Sequence, residues 1–231
     1  MRGYGYGLWL MALSCWMHGA VAAPAAGAAP AASAASAAPT RSPEEDYRLG
    51  MKARWSDDNF PDAILNFTHA AERGHAAAQA ELADILEAGS AWKSALGWWR
   101  KSAEQGYAPG QYGLGMILRV TKGDVKQDFV EARKWITLAA NQGHAAAIDL
   151  LANAYLGRMP LGLDANALNS PEVLLWIKRA ADINSGFAIK ALADAYRSGK
   201  YGLAVDPAQA DALEAKLKPK KEEKKEKKKR N

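Results

Sequence analysis

The feature that most constrains this chain is an internal repeat that reads as helix, stop, helix. Four segments carry two small residues, two further positions, a residue suited to a left-handed backbone, and then a second helical run. Asn is the non-glycine residue that best tolerates this conformation after a helix end, so the fourth segment predicts the same turn as the three that use glycine. Repeats of this length predict stacked supersecondary units. The four stops are Gly74, Gly106, Gly143 and Asn184.

Large and small residues recur at fixed distances before each stop. The position eight residues before the stop is tryptophan in three units, and a small or β-branched residue stands three positions earlier in all four. These spacings place both residues on one helical face, so we predict that the three tryptophans belong to the core. The position is held by Asn66, Trp98, Trp135 and Trp176. Trp99 follows at the next position, where other units have Phe or Ile, and we predict that it is buried between repeats.

Composition and spacing predict an all-α fold. Of the 231 residues, 49 are Ala, which favours helices and lets them pack at close range. The stops are 32, 37 and 41 residues apart, and the variation falls in the connections after each second helix, notably at residues 157–170. A half unit around Tyr47 precedes the set, and Asp206 and Pro207 begin a last helix. We predict a right-handed α/α solenoid of about five helix hairpins over residues 44–217.

Three strings carry a family resemblance: AAERGHAAAQ, SAEQGYAPGQYGLG and AANQGHAAAIDLLANAYLG. Their paired small residues, glycine and following His or Tyr resemble the signature of the Sel-one-like repeat (SLR) family, relatives of the tetratricopeptide repeats. The resemblance covers about residues 44–217. It implies an α/α superhelix with a non-enzymatic role as an adaptor or scaffold in envelope or signalling assemblies.

The N-terminal region, residues 1–22, reads as a signal peptide. It has Arg2, an apolar stretch over residues 8–16 and an Ala-Val-Ala sequence that ends at Ala22. We predict cleavage after Ala22 and a periplasmic or secreted protein. An uncleaved membrane anchor and a lipoprotein acylated at Cys15 are the alternatives.

The basic charge of the chain is concentrated at its C-terminus. The net charge is +5, but residues 216–231 contribute +7, which leaves the other 215 residues at −2. The Ala/Pro-rich residues 23–43 and the Lys-rich residues 218–231 predict a disordered linker and a disordered tail, because neither can bury enough apolar surface to offset the entropy of ordering. The repeat region therefore gives no reason to expect a nucleic-acid surface.

The sequence predicts no enzyme, no cofactor and no metal or catalytic residues. Cys15 is the one cysteine and precedes the repeats, which excludes a disulfide framework or a cysteine nucleophile within them. His75 and His144 hold equivalent positions in units one repeat or more apart, which favours a structural role over a ligand pair. A Ser-His-acid set and a Gly-rich phosphate loop are both absent from the sequence.

Basic residues on the first helix of each pair are the candidates for a partner-binding surface. In stacks of the tetratricopeptide type the first helices line the concave face, and a row of cations there favours an acidic partner. The alternative is that they are solvated residues placed where cations suit the helix dipole. Trp92 lacks an apolar counterpart in other units, which predicts exposure, with partial burial against the preceding loop as the alternative. The candidates are Trp92, Arg100, Lys101, Arg133, Lys134, Lys178 and Arg179.

The sequence leaves two classes of function open. The first is an exported adaptor or scaffold that presents a helical surface to an unidentified protein or peptide in the bacterial cell envelope. The second is a binder of an anionic polymer, membrane surface or nucleic acid that acts through the Lys-rich tail. Neither class predicts a small-molecule substrate.

Export is tested by the mass of the mature protein. Mass spectrometry of the chain purified from a bacterial host should give an N-terminus at Ala23, because signal peptidase cuts after small residues at this spacing. A species that begins at an acylated Cys15 would contradict this prediction.

Overall fold

The computed structural model describes residues 41–55 and 59–217. The chain divides after Ser42, and the description below concerns the unit that begins at Pro43. The predicted signal peptide, almost all of the predicted linker and the predicted tail lie outside the described residues. Within them, eleven α-helices account for the regular structure, with a short 3₁₀ helix at Lys200–Gly202. The helices are α1 Pro43–Arg54, α2 Phe60–Glu72, α3 Ala76–Ala88, α4 Trp92–Glu104, α5 Ala108–Leu118, α6 Phe129–Asn141, α7 Ala145–Tyr155, α8 Ala165–Leu168, α9 Glu172–Asp182, α10 Gly186–Ser198 and α11 Pro207–Ala215.

These helices form an α-solenoid of four complete hairpins with a half unit at each end. The hairpins are α2/α3, α4/α5, α6/α7 and α9/α10, while α8 is a single turn inside the long third connection. Each second helix also packs on the first helix of the next unit, in the pairs α1 with α2, α3 with α4, α5 with α6, α7 with α9 and α10 with α11. The predicted all-α solenoid is confirmed.

Each hairpin turns at the predicted stop, where the backbone adopts a positive φ. In the third hairpin, the Gly143 N–H donates to Ala140 O at 2.9 Å and the His144 N–H donates to Ala139 O at 3.1 Å. This Schellman arrangement satisfies carbonyls at the helix end that would otherwise lack partners. The φ angles are 88° at Gly74, 81° at Gly106, 87° at Gly143 and 63° at Asn184.

Small residues on the second helices let neighbouring units approach closely. A Cβ added to Gly115 would lie 2.4 Å from Ile136 Cγ1, and one added to Gly50 would lie 2.6 Å from the Phe67 ring. Ile136 and Phe67 are fully buried. Each of these junctions therefore packs one large side chain against bare helix backbone, and larger residues on the second helix would force the units apart.

One pair of positions recurs at the first four junctions between units. The first position lies on a second helix and is the one equivalent to Gln111. The second position is the residue directly before the next stop. The pair forms an ion pair at the first junction and amide hydrogen bonds of 2.7 Å and 2.8 Å at the next two. In order, the pairs are Asp46 with Arg73, Gln79 with Gln105, Gln111 with Gln142, and the residues Ile148 and Ile183.

The last described helix, α11, is capped by an aspartate and joined to α10 by an ion pair. Asp206 Oδ1 caps α11 by accepting the Gln209 N–H at 3.0 Å. Counted from this cap, Glu214 occupies the position that Ile136 holds in α6, and its carboxylate pairs with Arg197 of α10. An ion pair therefore stands at the contact between α10 and α11, at a position where the earlier units have a buried apolar side chain.

The stop geometry is tested by two substitutions at Gly143. Gly143→Val should lower the free energy of unfolding by on the order of 1–3 kcal/mol, because a β-branched residue is forced into a left-handed backbone. A Cβ there meets no heavy atom within 4 Å, so the cost arises in the backbone alone. Gly143→Asn should be mild, since Asn184 makes the same turn. Denaturant unfolding measures both, and equal destabilisation would contradict the prediction.

His144 makes the third hairpin sensitive to pH. Its Nδ1 accepts the Ala147 N–H at 3.3 Å, and its ring stacks on Tyr112 with centroids 4.7 Å apart. An accepting Nδ1 requires neutral imidazole, and burial lowers the pKa of His144 below its usual 6.5. This contribution to stability is full above the usual pKa and is lost as the pH falls through the lowered one.

We expect His144→Asn, which caps a helix without titrating, to shrink the loss of unfolding free energy between about pH 7.5 and about pH 5. Urea unfolding of the variant and the natural chain at both pH values measures the difference. An unchanged pH dependence would show that His144 protonation does not weaken the fold.

Candidate partner-binding surface

The candidate residues all lie on the first helices of the hairpins, but the basic ones do not form a single row. In two units they stand five and six residues before the stop, and in one unit they stand nine and ten residues before it. Positions four residues apart are neighbours on a helix surface, so the two sets lie one helical turn apart. The first set is Arg100, Lys101, Lys178 and Arg179, and the second is Arg133 and Lys134.

Two of the arginines bind backbone and side-chain oxygens of neighbouring segments. Arg133 Nη1 donates to Gly162 O in the long third connection at 3.1 Å. Arg179 on α9 donates to Ala140 O at 2.5 Å and to Asn141 Oδ1 at 2.9 Å, at the end of α6. Because these bonds satisfy oxygens at a helix end and in a connection, we assign both side chains a part in holding the units together.

Arg100 pairs with Glu131 of the next unit. The pair is bidentate, with distances of 2.6 Å from Nη1 to Oε1 and 3.2 Å from Nη2 to Oε2. Trp135 Nε1 donates to the same carboxylate at 3.1 Å. The hydrogen bond from Arg100 lowers the pKa of Glu131, and the carboxylate raises the pKa of Arg100. This matched charge removes the basis for expecting Arg100 to attract an acidic partner.

The three candidate lysines are exposed and form no ion pair with another described residue. Lys101 Nζ lies 4.0 Å from the centroid of the Trp98 ring, and Lys134 Nζ lies 5.4 Å from that of Trp135. An indole face attracts a cation and holds the aliphatic stem near the helix, while the ammonium group stays in water. Lys101, Lys134 and Lys178 therefore keep a charge that can attract a carboxylate.

The tryptophans eight residues before the stops are not equally buried. Trp176 is 4% exposed, whereas Trp98 and Trp135 are only partly buried and pack against the edge of the core. The deepest position is the next residue along, which packs against glycines of neighbouring second helices, as Trp99 does against Gly113. The prediction that Trp98 and Trp135 are core residues is therefore wrong by one position, and the predicted burial of Trp99 is confirmed at 8% exposure. The deep residues are Phe67, Trp99, Ile136 and Ile177.

Trp92 at the start of α4 is partly buried, so the prediction of an exposed side chain is wrong. A Cβ added to Gly123 would lie 2.8 Å from Trp92 Cδ1, and Lys122 Nζ lies 4.7 Å from the Trp92 ring centroid. Lys122 in turn pairs with Glu87 at 2.6 Å. The loop between α5 and α6 thus covers part of the ring, so the following loop contributes to its burial.

The structure adds apolar residues that the sequence analysis did not single out. Leu65, Leu138 and Leu175 lie on three of the first helices and are 53%, 38% and 49% exposed. Among the described residues of the second helices α3, α5, α7 and α10, no large apolar side chain is exposed to this degree. The repeat alignment held the signal, because these leucines stand nine or five residues before a stop, away from the buried strip.

We call the surface at these two positions the first-helix face. It mixes exposed leucines with cations. Carboxylates stand nearer the helix ends, two residues before the stop, at Glu72, Glu104 and Asp182. The members of the first-helix face are Leu65 and His69 on α2, Gly97 and Lys101 on α4, Lys134 and Leu138 on α6, and Leu175 and Arg179 on α9.

His75 and His144 are both helix caps. His75 Nδ1 accepts the Ala78 N–H at 3.1 Å, and its Nε2 lies 2.8 Å from Glu44 Oε2. In the part of the chain that the structure describes, no three His, Cys, Asp or Glu side chains are grouped as metal ligands. None of the helices described there has the length and apolar character needed to span a bilayer.

Known proteins resemble this chain in sequence and in fold. No protein-family model matches the chain. An uncharacterized protein of Neisseria meningitidis serogroup B is 30% identical over 161 residues, which make up 69% of this chain and 32% of that protein. The chain thus spans only 32% of the length of the curated relative that it matches.

Two solved structures share the fold. A protective antigen present in uropathogenic Escherichia coli strains, described as displaying an SLR fold, superposes with a TM-score of 0.65 and 26% identity over 75% of this chain and 37% of its own. A Sel1 repeat protein from Oxalobacter formigenes gives a TM-score of 0.57 and 25% identity over 77% of this chain and 71% of its own. With four left-handed stops in register and these two structural matches, the chain has the α-solenoid fold of the Sel-one-like repeat proteins, a helical-repeat module suited to protein interaction.

Proposed function

We propose that this chain is an exported, non-enzymatic adaptor or scaffold of the bacterial cell envelope that binds a protein or peptide through its first-helix face. The observation that carries the proposal is the asymmetry between the two kinds of helix. The first helices carry exposed leucines and three exposed lysines, whereas the second helices α3, α5, α7 and α10 expose no large apolar side chain among the described residues. Apolar anchors within a polar surface are typical of interfaces between proteins.

Burial of the exposed leucines by a partner contributes to the free energy of binding. Complete burial of a leucine side chain contributes roughly 1.5–3 kcal/mol, so leucines that are about half exposed still have on the order of 1 kcal/mol each to gain. The lysines add attraction for carboxylates and act mainly on the rate of encounter and on specificity. Leu138 and Lys134 are one helical turn apart on α6, so a single segment of a partner can contact both kinds of group.

A non-enzymatic role is supported by how the polar side chains of the repeats are used. His75 and His144 cap helices, Arg100 and Glu131 join two units, and Gln79 bonds to Ala71 O inside its own hairpin at 3.0 Å. Each is committed to the architecture of the solenoid. This matches the common use of the fold as an interaction scaffold.

Export is supported by the sequence of residues 1–22, which has the three parts of a signal peptide. One of the solved relatives is described as a protective antigen, a role that suits a protein found outside the cytoplasm. We therefore propose that the chain acts in the periplasm or outside the cell.

The second candidate function is the binding of an anionic polymer, membrane surface or nucleic acid through the Lys-rich tail. Charge distribution favours it, because residues 216–231 contribute +7 while the described residues contain equal numbers of acidic and basic side chains. A flexible basic segment attracts polyanions without a folded site, and the attraction falls steeply with salt.

A comparison of three variants separates the two functions. Proteins captured from an envelope extract by the natural chain should be retained after deletion of residues 218–231 and lost after joint reversal of Lys101, Lys134 and Lys178 to Glu. Arg100 is left unchanged because a carboxylate there would face Glu131. Quantitative mass spectrometry of the captured proteins at two salt concentrations is the measurement.

The matched control is Lys190→Glu, a reversal at an exposed lysine on the second helix α10. It should leave capture unchanged. If capture disappears with the tail and is salt-sensitive, while the triple reversal has no effect, the first-helix face is not the binding surface and the second function replaces the first.

A further inference from the structure

Gly97 is a glycine that the fold itself does not require. It is the sixth residue of the thirteen-residue helix α4, and glycine at the middle of a helix is destabilising relative to alanine. Other helical glycines have a packing reason, since a Cβ added to Gly113 would lie 2.4 Å from the Trp99 ring and one added to Gly115 would lie 2.4 Å from Ile136. A Cβ added to Gly97 meets no heavy atom within 4 Å, and its φ is not positive.

The position of Gly97 places this bare backbone within the first-helix face. The equivalent residues of the other first helices are Leu65, Lys134 and Leu175, and all three project exposed side chains. Helix α4 therefore has a gap in a row of side chains that the other units fill. Lys101 lies one turn further along α4, with its ammonium group over the Trp98 ring.

We propose that Gly97 is the point at which the main chain of a bound peptide comes closest to the solenoid, and that this peptide is acidic and amphipathic. The inference rests on the proposed function, which it makes specific. Absence of a side chain allows a peptide backbone to lie against α4, as glycine does wherever a ligand approaches a main chain closely. Apolar side chains of the peptide then reach the leucines of α2 and α6, and its carboxylates reach Lys101 and Lys134.

The chemistry of the occupant follows from charge complementarity. Two exposed lysines of the first-helix face, Lys101 and Lys134, form no ion pair with a described carboxylate, and the exposed Lys178 stands beside the face on α9. Acidic residues of the protein, such as Glu104, stand toward the helix ends and repel a peptide carboxylate placed there. A peptide whose acidic groups lie beside Lys101 and Lys134 and away from the stops therefore gains attraction and avoids this repulsion.

The probe is a phage-displayed library of random 12-residue peptides, selected on the immobilised full-length chain. We expect the selected peptides to be enriched in Asp, Glu and large apolar residues. Synthetic fluorescein-labelled copies are then titrated by fluorescence anisotropy against the natural chain, Gly97→Leu, Gly97→Ala, and the pair Lys101→Glu with Lys134→Glu. The control Ala146→Leu places the same side chain at an exposed position on the second helix α7.

Gly97→Leu should weaken binding by about tenfold or more, because its side chain fills the gap, while Ala146→Leu should bind as the natural chain does. Gly97→Ala should raise the midpoint of thermal unfolding, since alanine is the better helix former and meets open space. A lowered midpoint would give Gly97 a role in the fold and overturn the inference.

The remaining outcomes separate this inference from the proposed function. If the lysine reversals weaken binding and Gly97→Leu does not, the face binds peptides but Gly97 is not the point of close approach. If neither change weakens binding, the inference and the proposed function both fail. Selection of basic peptides, or of none above background, overturns the acidic amphipathic partner.

Discussion

The left-handed turn between the two helices of each hairpin is the constraint on which the rest of the structure depends. At Gly74 and its counterparts, two consecutive N–H groups bond back to the carbonyls of the paired small residues before the turn. Those small residues are almost completely buried, as Ala70 and Ala71 illustrate at 0% and 1% exposure. A larger side chain there would hold the second helix away from the first. The turn thus explains the positive φ at the stop and the small pair before it.

The junctions between units follow a different rule, in which a position recurs while its chemistry changes. Asp46 with Arg73 is charged, Gln79 with Gln105 is an amide pair, and at the fourth junction both positions are isoleucine. A buried polar atom left without a partner costs more than a made hydrogen bond contributes, whereas replacing both partners with apolar groups is nearly neutral. The stack therefore tolerates ionic, amide or apolar pairs at this place, provided that both members change together.

Much of the fold could be predicted from the sequence because its determinants are local. The stops, the capping residues Asp206 and His144, and the three- and four-residue spacings act within one or two helical turns. The depth of Trp98 relative to Trp99 could not be predicted, because both suit the same helix and only the approach of the preceding unit decides which is buried. The partners of long side chains could not be predicted from the sequence either, because they lie far apart along the chain. Arg100 and Glu131 are separated by 31 residues.

Glycines show the same limit within a single helix pair. Gly97 and Gly113 are the same residue type in the middle of the adjacent helices α4 and α5. Only the positions of neighbouring atoms distinguish a glycine beneath the Trp99 ring from one that faces open space. Exposure of Leu65 was missed for a related reason, since leucine in a helix is expected to be buried until the packed faces are known.

Arginine and lysine side chains have different roles in the solenoid. Arginine, with a planar fork of donors, joins units through Arg54, Arg73, Arg100, Arg179 and Arg197, each of which bonds to an element beyond its own helix. Among the described lysines, only Lys122 forms an ion pair with a described carboxylate. A guanidinium is suited to bidentate, partly buried bonds, whereas an ammonium group is strongly hydrated and stays in water.

This division explains why a row of cations on the first helices does not act as one surface. Charges that the solenoid uses to hold its units together are matched by its own oxygens, and their removal alters the stack. Lys101, Lys134 and Lys178 form no ion pair with a described carboxylate, so their ammonium groups are available to a partner and are not part of the junctions. Because stability and recognition depend on different residues of the same helices, the recognition surface can change from one such protein to another while the stack is preserved.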